Sequence, residues 1–399
     1  MTDAVFDLAA ARRILVVKLD EAGDFVLATA FLRGLRASAP QARILLAVRP
    51  AVADLAAPCP HVDAVVSPQP KPGGGIDLRA VTPGGAAAFA EAFRAGFDLT
   101  LVPRYDFDRH GATSLAANSR ARAVLGFSET VTPWKASGNA GFDRAYTHRL
   151  TPPPGRHEVE QNLALLRFAG GVPDGDGVEL YLTAEDRAEA ARLLAVVEGE
   201  RVIAVAPGAA APRREYPPDR LAMVVAVVAV GLGARVAVIG TERERAAAAL
   251  IAAALPGRVI DLTGRTGLRV AAAVIERTGG LIAMDSGPAH LGAAVGVPVA
   301  VFSCHPKGGD PNHHHAPERF RPWSARTQVL RPSAALPPCP AESCTAAEAH
   351  CIASIPPNRA VARILDLLGG HESGLRSALD RDGGPGRPCD RSPPANEAI

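Results

Sequence analysis

Residues 13–29 read RILVVKLDEAGDFVLAT. Ile14–Lys18 is a near-continuous apolar run of the length of a buried strand. Leu19–Gly23 then makes a tight loop, and a helix opens at Asp24. Phe25 to Ala37 carries that helix, with Leu27, Phe31 and Leu35 at i, i+4 and i+8 on one face, until Pro40 stops it. The same form returns at residues 281–295, LIAMDSGPAHLGAAV. In open α/β sheets, ligands bind in the crevice beyond the carboxyl ends of the strands, so both stretches address such a crevice.

The chain between and beyond them repeats this grammar. Arg43–Val48, Val62–Val66 and Asp98–Val102 read as strands, Ala86–Arg94 and Arg156–Phe168 as helices. In the second half, strands at Val202–Ala206, Arg235–Ile239, Val259–Asp261, Leu281–Met284 and Val299–Phe302 alternate with helices, and a last helix spans Asn358–Leu368. Such alternation predicts an α/β fold of parallel sheets covered on both faces and joined by right-handed crossovers. Three stretches lack periodicity: Pro68–Gly75, Ser128–Gly155 and the residues after Ser303. A chain of 399 residues exceeds one ordinary core, so two domains are expected. Gly170–Gly177, rich in glycine, proline and aspartate, is the candidate linker. The expected division is 1–175, 176–368 and a disordered polar tail, 369–399.

A net charge of +2 gives no reason to expect a nucleic-acid partner. Only four of the 43 basic residues are lysines (18, 71, 135 and 307). An arginine excess beside so many alanines reads as coding bias, not as a phosphate-binding device. Six cysteines in a long chain without a secretory leader suggest reduced thiols and a cytoplasmic setting. The longest uncharged run, Leu221–Ala234, falls short of the roughly 18 residues that span a bilayer.

Asp24 is the first candidate for chemistry. A plain helix N-cap is the competing reading. Gly23 beside it keeps the approach open, and a carboxylate at the mouth of the first sheet can take a proton from an attacking hydroxyl, as sugar transfer requires. Asp20 and Glu21 are lesser rivals in the same loop. Asp285–Ser286–Gly287 precedes Pro288, a favoured residue at a helix start, and would present free backbone N–H groups to a phosphate. His290, one turn on, is a weaker candidate. Gly208 ends another strand, and the loop after it carries Arg213 and Arg214, suited to neutralising a departing diphosphate. Glu242 follows the strand Arg235–Ile239, where an acid can accept hydrogen bonds from a ribose. Arg104, Arg109 and His110 follow Asp98–Val102 and could meet an anionic acceptor. Cys339, Cys344, His350 and Cys351 offer four ligands, but at a spacing that fits no common zinc ribbon, so reduced structural thiols and no metal are expected. His313–His315 reads as an exposed loop.

Together these motifs resemble glycosyltransferase family nine, the bacterial heptosyltransferases of lipopolysaccharide core assembly. The resemblance rests on residues 14–29, on Asp285–Leu291 with the following Ala293–Pro298, on Arg214–Pro217 and on Arg319–Trp323. It covers roughly residues 12–368 and is denser in the second half. It implies two Rossmann-like domains facing across a cleft (GT-B). The first would hold a glycolipid or glycan acceptor. The second would hold a nucleotide-sugar donor, usually ADP-heptose, for an inverting transfer without a further cofactor. Asp24 would be the base, Arg214 would stand for a phosphate-binding lysine, Glu242 would lie near the ribose-binding acid, and Asp285–Gly287 would be the donor loop. Family members often carry cysteines where Cys339–Cys351 lie. Two residues depart from the family pattern: Arg214 for lysine, which keeps charge but changes its shape, and Tyr216 for tryptophan. The enzyme would work in the cytoplasm, in peripheral contact with the inner membrane if its acceptor is lipopolysaccharide. A nucleotide-sugar epimerase or a non-catalytic nucleotide-sugar-binding protein of the same fold is the alternative.

Overall fold

The computed structural model of the protein describes residues 5–70, 76–195, 199–341 and 343–369. Two sheets carry the fold. The first holds β1 (Arg13–Lys18), β2 (Arg43–Val48), β3 (Ala64–Pro70), β4 (Ile76–Ala80), β5 (Leu99–Val102), β6 (Ala123–Phe127) and β7 (His148–Leu150), in the spatial order β4-β3-β2-β1-β5-β6-β7. Only the β3–β4 pair is antiparallel. The second holds β8 (Val202–Ala206), β9 (Arg235–Val238), β10 (Val259–Asp261), β11 (Leu281–Met284), β12 (Val299–Phe302) and β13 (Thr327–Leu330), all parallel, in the order β10-β9-β8-β11-β12-β13. Central strands such as β1 and β11 are buried along nearly their whole length, as parallel strands covered on both faces must be. The chain winds outward from β1, then returns to lay β5 on its other side. It does the same around β8 and β11. These two reversals are the topological switch points where open α/β sheets bind ligands.

Several elements differ from expectation. The helix after β1 is two helices, Ala22–Val26 and Thr29–Ser38. The Thr29 hydroxyl donates to the Val26 carbonyl (2.8 Å) and the Asn162 amide to the Leu27 carbonyl (3.2 Å), so side chains take acceptors that a continuous helix would use. Asp24 therefore sits inside the first turn, not at the opening position, which is Glu21. Pro68–Pro70 extends β3, and Ile76–Ala80 turns back along it; residues 71–75 of the expected loop lie outside the described residues. The Ser128–Gly155 stretch contains a helix, Pro133–Gly138, and β7. β13 follows the irregular segment after Ser303. The last helix is Pro357–Gly369, and the tail beyond it lies outside the described residues.

Residues 172–182 run along the first lobe. Arg33 donates to the carbonyls of Asp174 (2.8 Å) and Gly177 (3.0 Å), and Glu179 pairs with Arg33 and His61. The chain then enters the second lobe through the helix Ala184–Leu194. One apolar cluster spans both lobes, with Ile14, Phe25 and Leu46 from the first and Ala204, Leu281 and Leu291 from the second.

A buried charge cluster adds to this contact. Arg319 of the second lobe is 1 % exposed and reaches Asp106 (2.7 Å) and Glu158 (3.4 Å) of the first. Its guanidinium also lies 5.0 Å from the centre of the Tyr105 ring. Burial would raise the pKa of Asp106, but Arg319 and Arg104 outweigh it and hold this carboxyl below its ordinary value of 3.8. Glu158 goes the other way: full burial pushes it up despite Arg319.

The two acids thus carry opposite pH signs. The contribution of Asp106 is present above the ordinary aspartate value and is lost as pH falls through its lower native one. Glu158 gives its contribution below the ordinary glutamate value and loses it as pH rises through its higher native one. At neutral pH, Asp106→Asn is expected to cost about 3–5 kcal/mol, because it breaks a buried pair, whereas Glu158→Gln should cost less, because full burial already opposes the charge that it removes. Urea unfolding of both variants from acid to neutral pH checks the order and the slopes.

Candidate active site

A cleft of about 390 Å³ lies where the two switch points face each other, lined by both lobes. The loop after β1 contributes Asp20, Glu21 and Asp24, and the loop after β5 contributes Arg104, Asp106, Arg109 and His110. Across from them stand Arg214, Asp285, Ser286, Gly287 and His290.

The three acids of the first loop have different surroundings. Asp20 is 6 % exposed, with Lys18 Nζ 2.8 Å from one oxygen and Arg104 Nη1 3.1 Å from the other. Burial opposes its charge, but Arg104 and Lys18 prevail and its pKa is lowered. Glu21 is exposed and pairs with Arg49 and, at 3.5 Å, His110. Asp24 is half-buried and touches Arg104 at 3.5 Å through Oδ1. Among the described residues its Oδ2 has no hydrogen-bond or ion-pair partner. Of the three, Asp24 alone combines partial burial with a free oxygen on the cleft.

Arg104 is thus engaged with two acids, not free for an acceptor. Burial works against its charge, yet Asp20 and Asp24 raise its pKa further. The loop around it is pinned by buried groups. Lys135 donates to the carbonyls of Arg104 (3.0 Å), Tyr105 (3.3 Å) and Phe127 (2.9 Å), and Lys18 donates to that of Pro103 (2.7 Å). Asp108 accepts from the backbone N–H groups of His110, Gly111, Ala112 and Thr113, which ends the loop and starts the next helix. Arg109 and His110 remain exposed at the cleft's edge.

On the second lobe, Ser286 stands at the N-cap of the helix Gly287–Ala294, but its hydroxyl donates backward to the Met284 carbonyl (3.3 Å) and caps nothing. Pro288 has no N–H and the Ala289 N–H donates to the Ser286 carbonyl (3.1 Å), so the Gly287 N–H is the early amide of that helix left without a partner among the described residues, a setting that favours an anion. Arg214 Nη2 reaches both the Asp285 carbonyl and its carboxylate (3.0 Å), tying the loop after β8 to the loop after β11. Tyr216, two residues on, is buried, stacks on Phe302 at 4.5 Å and donates to the Ile355 carbonyl (2.7 Å).

Gly23 and His290 meet between the lobes. A Cβ on Gly23 would lie 2.6 Å from His290 Cδ2, so this glycine makes room for the facing helix, and it also lines the cleft. His290 is buried with its Nδ1 unpartnered among the described residues, and burial lowers its pKa. A second cavity of about 260 Å³ adjoins the cleft through Ser286, between the ends of β8 and β9. Ile239, Leu268, Ala271 and Leu291 make it largely apolar, and Gly208 and Glu244 lie on its wall. A Cβ on Gly208 would collide with the Glu244 side chain at 2.5 Å.

Glu242 is not brought to either cavity. Its side chain is 76 % exposed and pairs with Arg245. Thr241 and Glu244 cap each other instead, with Glu244 Oε2 accepting from the Thr241 N–H and hydroxyl, which turns Glu244 inward and Glu242 out. The His313–His315 segment is not an exposed loop: His313 is buried, and His314 and His315 line the cleft. His313 and His314 meet the Trp134 ring of the first lobe edge-on at 5.7 and 5.3 Å. Lys18, Asp106, Lys135 and Glu244 were not singled out from sequence. A lone lysine in the apolar run of β1 was the one available hint.

Two parallel-sheet lobes with their switch points opposed across a cleft define the GT-B class of transferases. Residues 130–350, more than half of the chain, match the family model described as glycosyltransferase family 9 (heptosyltransferase). The chain belongs to that family and is a glycosyltransferase. The fold is similar to a family 9 glycosyltransferase from Veillonella parvula (TM-score 0.64, 22 % identity, 82 % of this chain and 87 % of that one). It is also similar to ADP-heptose lps heptosyltransferase II of E. coli (0.64, 19 %, 90 % and 99 %) and to E. coli heptosyltransferase WaaC with ADP (0.60, 14 %, 89 % and 99 %). No curated protein matches the chain by sequence.

Gly23→Ala should destabilise the protein by about 1–3 kcal/mol through overpacking. In the Gly23→Ala/His290→Ala double variant the two costs should fall short of their sum by at least about 0.5 kcal/mol. Additive costs in a double-mutant cycle of thermal unfolding would remove the contact from the account.

Proposed function

We propose that the enzyme transfers a heptose, with inversion, from ADP-heptose to a lipopolysaccharide-core or related glycan hydroxyl, with Asp24 as the base. The observation that carries this reading is the free Asp24 oxygen on a cleft whose opposite wall is an uncapped helix N-terminus and an arginine. The acceptor oxygen attacks the anomeric carbon, its proton passes to Asp24, and the bond to the diphosphate breaks. Arg104 holds the other Asp24 oxygen and fixes the carboxylate's orientation. Arg214 and the Gly287 amide stand where charge grows on the departing diphosphate. The apolar cavity beyond Ser286 suits a nucleoside base, and Glu244, not Glu242, is placed to accept from a ribose. The donor assignment is also supported by the likeness in fold to ADP-heptose lps heptosyltransferase II and to heptosyltransferase WaaC with ADP or with ADP-2-deoxy-2-fluoro heptose. Arg109 and His110 at the cleft's edge suit an anionic acceptor. Among the described residues no helix is long and apolar enough to cross a membrane.

Asp24→Asn should lower kcat by about 10²–10⁴-fold with the donor KM nearly unchanged. Turnover within tenfold of wild type, measured as ADP release with ADP-heptose and core acceptor, would falsify the base assignment. Arg214→Ala should weaken the donor by about ten- to a hundredfold, the range for a hydrogen bond to a charged group, and Arg214→Lys by less. In a thermal-shift series, ADP should raise the midpoint more than UDP or GDP. A preference for either of the others would reassign the donor.

A further inference from the structure

The geometry points to a structural zinc site in the second lobe, made by Cys339, Cys344, His350 and Cys351. It lies apart from the cleft and is independent of the transfer reaction proposed above. The four ligand atoms converge although the spacing matches no common zinc ribbon. Cys339 Sγ lies 3.8 Å from Cys344 Sγ and 3.4 Å from His350 Nδ1, and Cys351 Sγ lies 3.5 Å from the same nitrogen. All four atoms fall within 4.8 Å of one another. A tetrahedral ion with Zn–S of about 2.3 Å and Zn–N of about 2.05 Å has edges near 3.8 Å between sulfurs and near 3.6 Å between sulfur and nitrogen. The three measured edges agree with those lengths. Backbone N–H groups also aim at the sulfurs: Thr345 at Cys339 (3.3 Å) and Leu336 at Cys351 (3.4 Å). Such donors are the outer shell that thiolate ligands use. Three soft sulfurs and one imidazole in a closed tetrahedron select zinc over magnesium or calcium.

The position gives the ion a task. Cys344 and Cys351 pack in the same apolar cluster as Tyr216 and Ile355. The segment just after Cys351 receives the Tyr216 hydroxyl at Ile355 and the Arg220 guanidinium at Ala353. Zinc would therefore brace the support beneath the loop that carries Arg214.

The test uses the full chain, produced in zinc-supplemented medium and purified under reducing conditions without a metal-affinity column. Elemental analysis should find about one zinc per chain. Cobalt exchanged into the site should show thiolate charge transfer and the intense ligand-field bands of a tetrahedral ion. Cys344→Ser should lose them. His350→Cys should keep them, with stronger charge transfer from a fourth thiolate, whether or not Cys344→Ser folds well. Stripping the metal should lower the thermal midpoint, and returning zinc should restore it. The proposal is overturned if wild-type protein reconstituted with zinc retains less than about a tenth of an equivalent, if its cobalt spectrum is octahedral, or if mass spectrometry finds Cys339 and Cys344 joined as a disulfide in the reduced preparation.

Discussion

Arg319 fixes the relation between the lobes. Its guanidinium is buried away from solvent and takes its counter-charges from the opposite lobe, at Asp106 and Glu158. An arginine so placed cannot shed its proton, and without those acids it would be a bare charge in an apolar interior. The pairing therefore selects an arrangement of the lobes more sharply than apolar contact does, because burial is non-directional and an ion pair is not. Asp106 belongs to the loop after β5, which also carries Arg104. The group that aligns the lobes is thus two residues from the group that steers Asp24.

The cleft divides its labour by charge. The first wall has acids in graded environments, with Asp20 immobilised between two cations and Asp24 left one free oxygen. The second wall has Arg214 and the unpaired Gly287 amide. On the proposed reading, proton acceptance and anion stabilisation fall to separate walls, and a sugar bound between them would meet both without either group having to do the other's work. The buried lysines serve a quieter end. Lys135 collects three carbonyls that the irregular Arg104–His110 loop would otherwise leave unpaired.

Much of this was legible in the sequence. Central parallel strands are buried on both faces, so β1, β2, β8, β11 and β12 appear as apolar runs, and the Asp24 and Asp285 loops follow directly from where those runs stop. Of the four edge strands only β10 was legible. β4 (IDLRA), β7 (HRL) and β13 (TQVL) mix polar and apolar residues because an edge is covered less completely. Glu242 and Glu244 lie two residues apart in similar surroundings, and only the cap geometry at Thr241 decides which turns inward. The break at Leu27 depends on Asn162, more than 130 positions away. Ion pairs of that kind, such as Asp106 with Arg319, leave no local pattern to read.

The Gly23–His290 contact has a consequence for recombining such enzymes. Here each half carries a mould of the other: a missing side chain answers an imidazole, and acids answer a guanidinium. A chimaera joining this amino-terminal half to a foreign carboxyl-terminal half would inherit an empty socket at Gly23 and two carboxyls without their cation, unless the graft brought both counterparts with it.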